Sequence, residues 1–119
     1  MNAARVAVAV VAALHVWFMI FEMVLWTSPF ALESLGMSLQ VATDSAVLAF
    51  NQGAYNGVLA SGLLISLWAT PEVSRAFQVF FLGAIVVMGI IGGLTASASI
   101  LVIQALPAAI ALALVLRAG

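Results

Sequence analysis

The chain reads as an all-α membrane protein, a bundle of four antiparallel transmembrane helices forming a single membrane domain over residues 1–119. Three observations lead there. Of its 119 residues, 66% are apolar and 6% charged, against about a quarter charged in an ordinary soluble domain. The mean hydropathy is +1.32. Four windows are long enough to supply the ~20 mostly apolar residues that cross ~30 Å of hydrocarbon. Backbone groups must pair internally in lipid, so these windows are helices, and the alternation of a barrel strand is absent. A net charge of −1 offers no basic face to nucleic acid, and the lack of cysteine excludes a disulfide scaffold.

The windows run over about 5–26, 45–69, 71–95 and 97–116. The first is too long for a cleavable signal peptide and holds an ionisable pair, so it is expected to remain as a span. Asp44 or Ser45 is placed to cap the second. Thr70-Pro71-Glu72 opens the third as cap, first-turn proline and carboxylate at the positive helix end. Ser97 is placed to cap the fourth after a turn short enough to force an antiparallel hairpin. The long connection, 27–44, mixes Phe30, Leu32, Leu35, Met37, Leu39 and Val41 with polar residues. It predicts either a short interfacial helix or a lid.

Orientation follows from the three arginines, the whole Lys and Arg content. With four spans, Arg5, Arg75 and Arg117 fall on one side, and Glu33 and Asp44 on the other. The positive-inside rule then predicts a multi-pass protein of the cytoplasmic (inner) membrane, with both termini cytoplasmic and loop 27–44 external.

Ionisable groups inside a membrane are expensive and usually face the bundle interior. In the first window His15 and Glu22 are seven residues apart, which returns to within ~20° of one helix face about 10 Å along the axis. The second window carries Asn51, Gln52, Tyr55 and Asn56, with Gln52 and Asn56 at i,i+4. Gly53, Gly57 and Ser61 form a stripe of small residues suited to close helix contact. The third window shows no deep polar residue, and Gly89, Gly93 and Ser97 are read as packing. The fourth holds Gln104 beside Pro107, whose missing N–H frees the carbonyl of Ile103. Depth arithmetic gathers Glu22, Asn51, Gln52 and Gln104 in an outer layer, with His15, Tyr55 and Asn56 below. These residues also have a plainer use, as hydrogen-bonding glue between helices.

The same residues carry a resemblance. Ala13-Leu14-His15 with Glu22-Met23 and Leu25-Trp26, and above all the run Asn51-Gln52-Gly53-Ala54-Tyr55-Asn56-Gly57 continuing to Leu64, resemble the signatures of a known family. Gly92 to Thr95 and Gln104 with Pro107-Ala108 are weaker matches. The family is one of small integral membrane proteins catalogued as domain of unknown function 1304. The resemblance implies four spans and brings no activity. One departure stands out: the family pattern often has an acid just before the histidine, and Leu14 stands there.

Function must therefore come from the polar residues. Desolvation favours the neutral acid at Glu22, and amide hydrogen bonds from Asn51, Gln52 or Gln104 would favour the carboxylate. The first expectation is a pocket for a small lipophilic molecule, with Glu22 and His15 as acid and base for an isomerisation or ring-opening. Asn51, Gln52, Tyr55, Asn56 and Gln104 would orient the ligand. The alternatives are a proton-coupled transporter using Glu22 and a non-catalytic accessory subunit. One histidine and no cysteine supply too few soft ligands for a transition metal, and no cofactor is expected. Expected partners are membrane lipid, the lipophilic molecule and, as an oligomer, copies of the chain.

Overall fold

The computed structural model describes residues 1–119. It is entirely helical: α1 (Ala3–Met23), α2 (Pro29–Leu35), α3 (Leu39–Ser66), α4 (Pro71–Thr95), a π-helical turn (Leu101–Ala105) and α5 (Leu106–Ala118). Three helices are long and apolar enough to cross a membrane, namely α1, α4 and the continuous stretch Leu101–Ala118. Only 22% of an 18-residue window in each span is buried within the chain, so much of their apolar surface is left uncovered by the chain itself, as suits a lipid surround. Helix α3 has the length, but Asn51, Gln52 and Asn56 dilute its hydropathy.

Element boundaries differ from the sequence expectation where local hydrogen bonding decides. Helix α1 ends at Met23, short of Trp26, and residues 24–28 turn. Loop 27–44 is largely helical. Ser28 caps α2 by accepting from the Ala31 N–H at 3.2 Å, Pro29 opens it, and Gly36 closes it at φ 62°. The second long helix starts at Leu39 rather than near Ser45, because Ser38 supplies the cap: its Oγ accepts from the Val41 N–H at 3.2 Å. Asp44 and Ser45 therefore lie inside α3. Thr70 sits at the α4 N-cap without a side-chain cap bond. The Ser97 hydroxyl pairs with that of Ser99 at 2.8 Å and does not cap the last helix.

The contacts divide the chain into two compact units. The first comprises Met1–Ala13 and Leu59–Gly119. Its core is small and aliphatic: Val8, Val11 and Ala12 of α1, Leu63 of α3, Leu82 and Ile85 of α4, and Ala108 and Ala111 of α5. Alanine and glycine at such contacts let backbones approach closely, which is how helices gain packing energy where lipid is as apolar as the core. A Cβ on Gly89 would lie 2.7 Å from both the Cβ and the backbone N of Ala105. Gly92 and Gly93 similarly abut Ile100 and Leu101. Gly89, Gly92 and Gly93 of the third window are thus packing residues.

The π turn has a local cause. Pro107 has no N–H to give Ile103, and the Leu106 N–H reaches back five residues, to the Leu101 carbonyl. Two arginines of this unit close helix ends. Arg5 donates through Nη2 to the Leu67 carbonyl at 2.6 Å, and Arg75 donates through Nη1 to that of Val115 at 3.1 Å. Cations there meet the negative ends of α3 and α5.

The second unit, Leu14–Val58, holds the end of α1, all of α2 and the first five turns of α3. Phe30 brings α2 onto α1, with ring centroids 6.2 Å from Trp17 and 6.1 Å from Phe21. Trp26 stands edge-on to Phe21 and donates its indole N–H to Ser45 Oγ at 3.1 Å. That bond ties the turn after α1 to α3.

Candidate functional site

Within the second unit, α1 and α3 meet along a face made for close approach. Gly53 faces α1 so tightly that an added Cβ would lie 2.5 Å from Met23 Cγ and 3.1 Å from the Met19 carbonyl oxygen. One turn on, Gly57 faces the Met19 sulfur. This glycine contact sets the register and brings Asn56 to the height of Glu22. The Asn56 Nδ2 donates to Glu22 Oε1 at 2.5 Å. Asn56 is buried and Glu22 half-buried. The bond gives the half-buried Glu22 carboxyl a partner within the chain.

His15 lies on the same α1 face, two turns from Glu22. It is 1% exposed and stands edge-on to Phe18 at 5.1 Å. The imidazole is thus held in an aromatic, nearly dry setting, while the carboxylate is engaged by an amide. No group of three His, Asp or Glu side chains assembles to hold a metal.

The remaining residues of the expected site are placed differently. Asn51 donates to the Val47 carbonyl of its own helix at 3.1 Å and is exposed. Gln52 is exposed, and Tyr55 is 69% exposed. The amide that reaches Glu22 is therefore Asn56, not Asn51 or Gln52. The cause is the glycine-set register of α3 on α1, which puts Asn56 beside Glu22 rather than at the level of His15. Gln104 belongs to the first unit, half-buried within the π turn.

That unit also contains polar residues the sequence reading passed over. It assigns the third span no deep polar residue, yet Gln78 of α4 is buried. Its Nε2 donates to Ser66 Oγ at 3.2 Å and Ser74 Oγ at 3.1 Å. Ser66 in turn donates to the Leu63 carbonyl at 2.6 Å. The Ser74–Gln78 spacing of i,i+4 is the signal that could have flagged it. Gln78 and Ser66 both donate within the group, which reads as a structural clasp. The same unit has a cavity of about 270 Å³. Its walls are Ala7, Val10 and Val11 of α1 and Leu106, Pro107 and Ile110 of α5, with no polar group to orient a ligand.

A family model described as protein of unknown function (DUF1304) matches residues 9–116. Comparison with curated proteins and with solved structures gives no match.

Proposed function

The chain belongs to the DUF1304 family, and from that premise we propose a four-span membrane protein that binds a small lipophilic molecule at the Glu22–Asn56 pair. The observation that carries this reading is the 2.5 Å bond between a carboxylate of α1 and an amide of α3, both on stretches otherwise apolar. A glutamate in such surroundings costs more than the glutamine that would pack equally well. Function is the usual return for that cost. Glu22 is the acid or base, Asn56 holds and orients it, and Gln52 flanks the pair one turn earlier on α3. His15 is the second titratable group, about two turns or ~10 Å away along the helix, so an elongated ligand or a relay would join the two. Proton-transfer chemistry of the isomerisation or ring-opening type suits such a pair.

The fourth span in this reading is α3. Its 28 residues reach ~42 Å at 1.5 Å per residue; of its amides, Asn56 turns inward to Glu22 and Asn51 bonds the Val47 carbonyl of its own helix. The capping bonds of Arg5 and Arg75 support an arrangement with all three arginines at one end, and hence cytoplasmic termini in the inner membrane.

The test is the cargo of the purified protein. Wild type, Glu22→Gln and Asn56→Leu are purified in mild detergent, and extracts are compared by mass spectrometry. A lipophilic compound retained by wild type and reduced about tenfold in Glu22→Gln, a loss of about 1.4 kcal/mol, is the expected result. Equal retention by all three, or none by wild type, overturns the reading and leaves the pair as interhelical glue.

A further inference from the structure

Glu22 lies in a part of the chain that holds no Lys or Arg. The second unit spans Leu14–Val58, and its charged side chains are Glu22, Glu33 and Asp44. All three arginines belong to the first unit, where Arg5 and Arg75 are engaged by the carbonyls of Leu67 and Val115. His15 sits about two turns back on α1, ~10 Å along the axis and out of bonding reach. Charged groups inside a membrane pair with an opposite charge or fill their hydrogen-bonding capacity. Within the chain Glu22 does neither. Asn56 Nδ2 serves its Oε1, and its Oε2 accepts no bond from the chain. The Asn56 Oδ1, on a residue only 7% exposed, accepts none either. The bonded pair thus presents two acceptors, one of them on a carboxylate, and the chain turns neither a further donor nor a cation toward them. Their chemical complement is a positively charged N–H donor.

The rings at that end of α1 suit the same charge. Trp17 and Phe21 precede Glu22, Trp26 follows it, and Phe30 of α2 lies 6.2 and 6.1 Å from Trp17 and Phe21. Trp17 stays 43% and Phe30 54% exposed, so ring surface is open to a molecule arriving through lipid. A ring face attracts a cation. We propose that the ligand of the Glu22–Asn56 pair is a lipophilic amine bound as its ammonium ion. This rests on reading the pair as a ligand site, and narrows the occupant from any lipophilic molecule to one with a protonated amine. The ammonium donates to Glu22 Oε2 and Asn56 Oδ1 and supplies the countercharge, while its hydrocarbon lies among the rings. An alcohol of the same shape brings one donor and no charge, and a carboxylate is repelled.

Adamantan-1-amine, adamantan-1-ol and adamantane-1-carboxylate share one apolar cage and differ in the group that meets the site. Each is titrated by calorimetry into the full-length protein in a non-ionic detergent, with empty micelles as the blank. Wild type should bind the amine about tenfold tighter than the alcohol, and the carboxylate should not bind. Glu22→Gln should weaken the amine about tenfold and leave the alcohol unchanged, whereas Glu22→Asp, which keeps the charge, should still prefer the amine. At the exposed Glu33, a change to Gln should shift the amine by no more than about twofold, because water and salt screen that charge. A second readout needs no variant to fold. Wild type is treated with dicyclohexylcarbodiimide, an apolar carboxyl reagent, and labelling of Glu22 read by peptide mass spectrometry should be blocked by the amine and not by the alcohol. Amine and alcohol bound equally, both weakened in Glu22→Gln, overturn the ammonium and leave a lipophilic site standing. A preference for the amine that survives Glu22→Gln, or falls as far in Glu33→Gln, overturns its assignment to this pair. Equal protection by the alcohol, or no saturable binding of the amine, also overturns it, while a cargo lost in Glu22→Gln would still keep the lipophilic site.

Discussion

At Gly53 a single methyl group decides whether α1 and α3 can meet. Its Cβ would face the Met19 carbonyl at 3.1 Å and Glu22 Cβ at 3.1 Å, and backbone cannot give way. At Gly57 the close atom is the Met19 sulfur at 2.7 Å, the far part of a flexible side chain. Gly53→Ala should therefore lose about 1–3 kcal/mol, whereas Gly57→Ala should be near neutral, since relocating a thioether is offset by ~1 kcal/mol of helix propensity. Thermal unfolding in detergent followed by circular dichroism measures both. At the neighbouring pair, Asn56→Leu strips the carboxylate of its donor and should cost about 1–3 kcal/mol. Glu22→Gln keeps an amide-to-amide bond and should cost less. A double-mutant cycle with a coupling of at least 0.5 kcal/mol is the expected outcome, and additive losses would show that the bond adds nothing to stability.

Among the elements, the join of α4 to the final helix depends on an irregular turn. Pro107 removes one donor, the helix widens to a π turn, and Ala105 seats against Gly89, where an added Cβ would lie 2.7 Å from it. The contact involves Ala105 backbone, so Gly89→Ala should destabilise by about 1–3 kcal/mol. Gly83 lies on the same helix with nothing within 4 Å of an added Cβ, and Gly83→Ala should stabilise by up to ~1 kcal/mol. Opposite signs for two identical substitutions on one helix would separate packing from propensity, and the same unfolding measurement reads both. At the other end of the hairpin, Arg5→Ala removes the donor to Leu67 and should cost about 1 kcal/mol. Arg5→Lys should recover only part of that, because an ammonium lacks the planar fork.

For the whole molecule, the proposed topology is open to direct measurement. A cysteine replacing Glu33 should react with an impermeant thiol reagent from outside intact cells, and one replacing Arg75 only after permeabilisation. The reverse pattern would invert the orientation. The helical class, three of the four expected membrane-length segments and the polar side chains on α1 and α3 were legible in the chain itself. Composition limits what solvent it can face, and the 100° step of a helix puts His15 and Glu22 on one face whatever surrounds them. Pairing was not legible. Depth counted from expected helix ends matched Glu22 to Asn51 and Gln52, but the ends of α1 and α3 are not aligned: α3 begins at Leu39 and α1 stops at Met23. The glycine contact with Met19 then selects Asn56. Gln78 was overlooked for a similar reason, since its partner Ser66 is distant until α3 and α4 are packed. Periodicity and hydropathy are properties of one segment and need no neighbour. Register between segments is set by caps and by atoms that collide, and these exist only once the helices touch.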